Sequence, residues 1–106
     1  MFKVIRKQTR PNVNVPFWQG QNSPLVSDEF KTYFLEKFIS TGKFISTDAT
    51  VGNNGLELTV ESLWESEAAY DEFTADATCM DYLINVAESY CNTNGILSVE
   101  VSKAVV

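Results

Sequence analysis

Histidine is absent from all 106 residues. That removes Ser-His-Asp and Cys-His nucleophilic systems, an imidazole general base, and any histidine ligand for zinc or haem. Cysteine is scarce: Cys79 and Cys91 stand twelve residues apart in what reads as one helix. Along a helix axis they would lie ~18 Å apart, against the ~4.4–6.8 Å that a disulfide spans between Cα atoms. The expectation is therefore two reduced, partly buried thiols and no structural metal. Basic residues are few, 8 against 14 acidic, for a net charge of −6. A nucleic-acid binder carries a basic patch to neutralise phosphates, so no nucleic-acid partner is expected. The basic residues concentrate at Lys3, Arg6, Lys7 and Arg10. They read as solvated side chains on the open face and end of an edge strand, where they discourage pairing between molecules. Apolar runs stop after a few residues, far short of the ~20 that cross a bilayer, so no membrane partner is expected either. The first residues alternate like a strand and lack the apolar core of a signal peptide, which makes a cytoplasmic setting, or a particle assembled there, the expectation.

What is present is a globular composition, 44% hydrophobic and 21% charged, on a chain of one-domain length. Residues 2–10 alternate as a first strand. All three prolines fall in the next stretch, Pro11, Pro16 and Pro24. They preclude a helix there, and residues 11–26 read as an extended arm or loop. Ser27 caps a first helix whose opening turn holds Asp28 and Glu29. Phe30, Phe34 and Phe38 recur every four residues along it, Tyr33 and Leu35 widen the stripe, and Gly42 ends it. A second strand runs from Lys43 to Val51, with Phe44 on one face and Ile45, Ala49 and Val51 on the other. Gly52-Asn53-Asn54-Gly55 reads as a hairpin turn. Leu56, Leu58, Val60, Ser62 and Trp64 line one face of a third strand. Ser66 caps a second helix with Ala69, Tyr70 and Phe73 inward. Asp76 caps its continuation after a bend, where Met80, Leu83, Ile84 and Ala87 form the apolar stripe. Asn94-Gly95 stops it, and a final strand places Leu97, Val99, Val101 and Val105 inward.

The order β-α-β-β-α-β predicts a ferredoxin-like α+β fold: a four-stranded antiparallel sheet with two helices on one face. Apolar residues on both faces of several strands leave the second face to be closed by another copy of the chain, or by the proline-rich segment folding back. Leu63-Trp64-Glu65-Ser66-Glu67-Ala68-Ala69-Tyr70-Asp71-Glu72-Phe73, a strand ending in tryptophan followed by a capped helix, resembles the antibiotic-biosynthesis-monooxygenase-like dimeric α+β barrel family. The likeness covers about residues 43–106, and the front half agrees in element order. The resemblance implies a dimeric barrel, with the serine as helix cap and the aromatic packed on the sheet. Some members of that family oxidise electron-rich aromatics without a cofactor, positioning them with tryptophan, tyrosine and asparagine. A haem-degrading branch holds iron through a histidine, which this sequence lacks, with Phe73 and Leu83 standing about where that branch carries functional residues.

The candidate ligand-binding residues are Trp64, Tyr70, Phe73 and Phe34, with a core role as the plainer alternative. Val15, Phe17 and Trp18 on the arm are candidates for a lid or for docking a partner, against simple packing on their own domain. The carboxylates Asp71, Glu72, Asp76 and Asp81 do not converge by spacing. No catalytic residue, metal ligand or cofactor follows from the sequence. The expected function is a homodimeric, non-catalytic module that binds a small apolar or aromatic ligand or serves as a scaffold. The alternatives are a cofactor-independent monooxygenase and an assembly protein, such as a phage particle component, that hooks a neighbour with its arm.

Overall fold

The computed structural model describes residues 1–106. Four strands, β1 (Phe2–Thr9), β2 (Phe44–Gly52), β3 (Glu57–Trp64) and β4 (Leu97–Val105), form one antiparallel sheet in the order β2-β3-β1-β4. Between β1 and β2 lies α1 (Asp28–Phe34), extended by a π-helical turn at Leu35–Ile39. Between β3 and β4 come α2 (Glu67–Ala75), α3 (Ala77–Tyr82), a π-helical turn at Leu83–Glu88 and α4 (Ser89–Thr93). This is the expected ferredoxin-like α+β arrangement, with the helices on one face. No helix is long and apolar enough to cross a membrane.

The local signals work as their chemistry requires. Ser27 Oγ accepts from the Phe30 N–H at 3.1 Å, Ser66 Oγ from Ala69 at 3.1 Å, and Asp76 Oδ1 from Cys79 at 3.0 Å. Each satisfies a donor that the helix start would otherwise leave orphaned. Asn53 and Asn54 both take positive φ in the β2–β3 turn, which asparagine tolerates better than other side chains.

Several expectations need correction. Strand β1 is a central strand, flanked by β3 and β4, so its lysines are not edge guards. In β2 a register shift between Phe44 and Ser46 absorbs one residue. Phe44, Ala49 and Val51 thereby pair with Trp64, Val60 and Leu58 and share their face, rather than opposing one another. In β4 a second shift, opposite Ile5 and Arg6, splits the inward set. Leu97 and Val99 pair with Thr9 and Lys7 on the face away from the helices, and Val105 pairs with Phe2 yet is 75% exposed at the sheet edge. The helical stripes also differ from expectation: Cys79, Tyr82, Ala87 and Cys91 are buried, while Leu35 and Ile84, at the openings of the two π-helical turns, are exposed.

Candidate functional site

The core under the helices is aromatic. Phe30, Phe34 and Phe38 of the first helix face Phe44 on β2, Trp64 at the end of β3, and Tyr70 and Phe73 on α2. Trp64 meets Phe44 at 5.1 Å between ring centroids, Phe73 at 5.1 Å and Tyr70 at 5.3 Å, and Phe34 meets Phe73 edge-on at 5.7 Å. Edge-to-face contacts of this kind add ~0.5–1.5 kcal/mol each beyond area burial. The structure thus gathers Trp64, Tyr70, Phe73 and Phe34 into one cluster. Their rings fill the space between helices and sheet, with Trp64 3% and Phe34 4% exposed. The Trp64 indole N–H donates to Ser62 Oγ at 3.0 Å, and no buried side-chain polar atom in the protein lacks a partner. Tyr70 and Phe73 are partly exposed, and the Tyr70 hydroxyl lies 3.4 Å from a Glu100 carboxylate oxygen.

The arm folds back on its own chain, on the helical side of the sheet and at the β2–β3 turn, not across the open sheet face. Gln8, buried on β1, clamps Trp18 in both directions: its Oε1 accepts from the Trp18 N–H at 2.9 Å and its Nε2 donates to the Trp18 carbonyl at 3.1 Å. The Trp18 ring sits 6.2 Å from that of Tyr82 and 5.3 Å from that of Tyr90, and the Tyr90 hydroxyl donates to the Pro16 carbonyl at 2.7 Å. Arg10 holds the middle of the arm. Its guanidinium donates to the carbonyls of Gly55 at 2.7 Å and Val15 at 2.9 Å, and it stacks 4.1 Å over Phe17. Val15, Phe17 and Trp18 are each half-buried by these contacts.

One polar node ties the helices together. Asp76, at the bend between α2 and α3, accepts from the Tyr33 hydroxyl and from Lys37 Nζ, both at 2.5 Å, while capping α3. Burial alone would raise the Asp76 carboxyl, but the bonds from Lys37, Tyr33 and Cys79 outweigh it and hold the group well below its usual range. The bond to Asp76 raises Lys37 well above its ordinary value, so this amine is a fixed cation and not a base. Burial pushes the Cys79 thiol up to about 12, with the Asp76 charge adding to it, and also raises Cys91. Both cysteines are free and buried. The node left one trace in the sequence: Tyr33 and Lys37 stand four apart, hence on one helix face. Nothing in the sequence showed that Asp76 would meet them across the fold.

Two open clefts, of about 390 and 480 Å³, lie along the outer surface between residues 25–33 and the helices after Asp76. They share Leu25 and Val86, and neither is lined by Trp64, Tyr70, Phe73 or Phe34. On the opposite side of the molecule, the open sheet face presents Ile5, Leu63, Leu97 and Val99 by strand register. Among them run Lys3–Glu61 at 3.9 Å and Lys7–Glu57 at 3.7 Å.

Fold and sites together define a ferredoxin-like α+β protein with a sealed aromatic core. Solved structures are similar over nearly the whole chain. A dimeric ferredoxin-like protein from an uncultured marine organism superposes with TM-score 0.58 at 9% identity, covering 99% of this chain and 94% of its own. A second such protein, also from an uncultured marine organism, gives TM-score 0.57 at 13% identity, covering 100% and 94%. An antibiotic biosynthesis monooxygenase covers 100% of both chains at 16% identity with TM-score 0.46. At such identities the likeness establishes the fold and no reaction. No family model matches the sequence. No curated protein matches it either.

Proposed function

We propose that this chain is one domain, arm included, that works as a homodimeric scaffold or small-ligand-binding module and pairs with a second copy through the open face of its sheet. The observation that carries the reading is that face itself. The helices and the arm lie elsewhere, leaving Ile5, Leu63, Leu97 and Val99 uncovered, with Leu97 63% and Val99 42% exposed. Lys3 and Lys7 pair with Glu61 and Glu57 there, and Asp48 on β2 is the one further charge that register places on this face, although the chain as a whole carries −6. A two-fold interface sets the same patch against itself, so a nearly balanced patch avoids most of the repulsion that the rest of this acidic surface would impose. Four strands ~4.8 Å apart and about eight residues long make a face of ~500 Å² per copy, or ~1,000 Å² per pair, at the threshold of a specific interface. Two solved structures of this fold, each named a dimeric ferredoxin-like protein, support the same reading. The unpaired thiols of Cys79 and Cys91 suit a reducing, cytoplasmic setting.

The oxygenase alternative would need a void beside Trp64, where Phe44, Phe73 and Tyr70 now sit. An arm acting as a hook would first have to release Gln8, Arg10 and Tyr90. Light scattering on a size-exclusion column tests the dimer directly. The wild type is expected at twice the chain mass, and Val99→Lys together with Leu97→Glu is expected at the single mass with its circular dichroism intact. A monomeric wild type at ~50 μM, where a micromolar dimer would be mostly assembled, would refute the reading. A double variant that stays dimeric would place the interface elsewhere.

A further inference from the structure

We infer that the cleft between the start of the first helix and α3 is a binding site for a small organic cation, an ammonium group carried on an aromatic or aliphatic body. This goes beyond the dimer reading and does not depend on it, because no residue lining the cleft belongs to the sheet.

The apolar part is built from both sides. Phe30 on α1 stacks on Tyr82 of α3 with ring centroids 4.1 Å apart, and this buried pair forms the apolar base of the cleft. Leu25 stands at the rim, 58% exposed, an isolated large apolar side chain that a ligand body would cover. Val86 reaches the same space from the π-helical turn at Leu83–Glu88 and continues it into the neighbouring cleft toward Asn85. Such turns widen a helix locally and concentrate at functional sites. The volume, about 390 Å³, falls within the range of small-molecule pockets.

The charge of the lining selects the occupant. The charged residues of the cleft are Glu29 and Asp81, and neither lies within ion-pair distance of a lysine or arginine. Asp81 has one oxygen bound by the Asn85 amide at 2.6 Å, which fixes the carboxylate while leaving its other oxygen free to accept. The basic group that comes near, Lys37, is spoken for: it reaches the Tyr33 hydroxyl at 3.1 Å but is paired with Asp76. An anionic ligand would meet two uncompensated carboxylates. A cation gains from them, and the stacked pair of Phe30 and Tyr82 offers its body an apolar surface.

The test uses 2-phenylethylammonium as probe, with 2-phenylethanol and phenylacetate as neutral and anionic comparisons of similar size. Backbone amide chemical shifts of the full chain are followed at low ionic strength. The ammonium is expected to shift amides within residues 25–33 and 78–86 saturably, with the alcohol up to about fivefold weaker and the carboxylate weaker still, the range expected when exposed charges pair. Glu29→Gln and Asp81→Asn, each isosteric and at the surface, are expected to weaken the ammonium alone, and the double variant to bring ammonium and alcohol to equal affinity. Raising salt to ~0.5 M should do the same in the wild type. Equal affinity for ammonium and alcohol in the wild type overturns the proposal. So do shifts confined to another surface, or the absence of saturable shifts at ~10 mM probe, where even a 1 mM site is about nine-tenths filled.

Discussion

Replacing Asp76 probes the one buried charge that holds the helical layer together. Its side chain is 4% exposed and makes three kinds of bond at once: to the Cys79 N–H, to the Tyr33 hydroxyl and to Lys37. In Asp76→Ala the cap of α3 disappears, at a cost of ~1 kcal/mol. The half-buried Tyr33 hydroxyl loses a charged acceptor, a further ~1.5 kcal/mol or more. Lys37, 39% exposed, swings into water and adds little. The expected loss is ~2–4 kcal/mol, or a melting temperature lower by roughly 8–20 °C for a domain of this size. Asp76→Asn keeps a capping oxygen and an acceptor, and should lose only ~1 kcal/mol. The pH dependence separates charge from shape. Because the folded Asp76 sits well below its usual value of 3.8, its contribution is fully present above that pH and is lost as pH falls through the folded value. Wild type minus Asp76→Asn stability should therefore be flat from pH 7 to about 5 and shrink below it. Urea titrations at fixed protein concentration across pH 7 to ~2.5 measure both quantities. An Asp76→Ala loss under ~0.5 kcal/mol, or a wild-type/Asn difference that does not change with acid, would refute the account of the node.

The remaining predictions concern packing, the arm and the thiols. Phe38, with no exposed surface and an edge-on contact to Trp64, should cost ~3–5 kcal/mol when changed to alanine, read by thermal unfolding. Gln8→Leu removes both bonds to the Trp18 backbone, so cleavage within residues 11–24 by dilute protease should accelerate severalfold while the rest of the chain survives as one fragment. With the Cys79 thiol pushed up to about 12 and Cys91 also raised, neither should react with a thiol reagent at pH 8 in the native state, and both should react in denaturant. Fast native labelling of Cys79 would mean that the helices open far more readily than its complete burial implies.

Much of the fold was legible because its signals are local. Ser27, Ser66 and Asp76 stand where a helix needs an acceptor, Gly42 and Gly95 where it must turn left-handed, and Asn53-Asn54-Gly55 where a hairpin closes. Element order then left few topologies open. The strand faces were less legible wherever a bulge intervened. Alternation assumes two residues per repeat, and one extra residue near Ile45 and another near Val101 reversed the facing of what lay beyond. The Phe30, Phe34 and Phe38 stripe held, whereas Leu35 and Ile84 face outward, because the buried side of the later helices runs through Cys79, Tyr82, Ala87 and Cys91, two of them cysteines that a hydrophobic stripe does not announce.

Composition by itself determined which chemistry is out of reach, since a chain without histidine cannot supply an imidazole base or ligand in any fold. It also determined the helix starts and the aromatic character of the core, because caps and hydrophobic periodicity act within a few residues. Only tertiary structure decided which groups meet. It brought Asp76 to Tyr33 and Lys37 over 43 and 39 positions, laid Trp18 on Gln8, Tyr82 and Tyr90, packed Trp64 into a sealed core, and opened a carboxylate-rimmed cleft at Glu29 and Asp81. Such meetings depend on distances across the folded chain, and sequence spacing carries no measure of them.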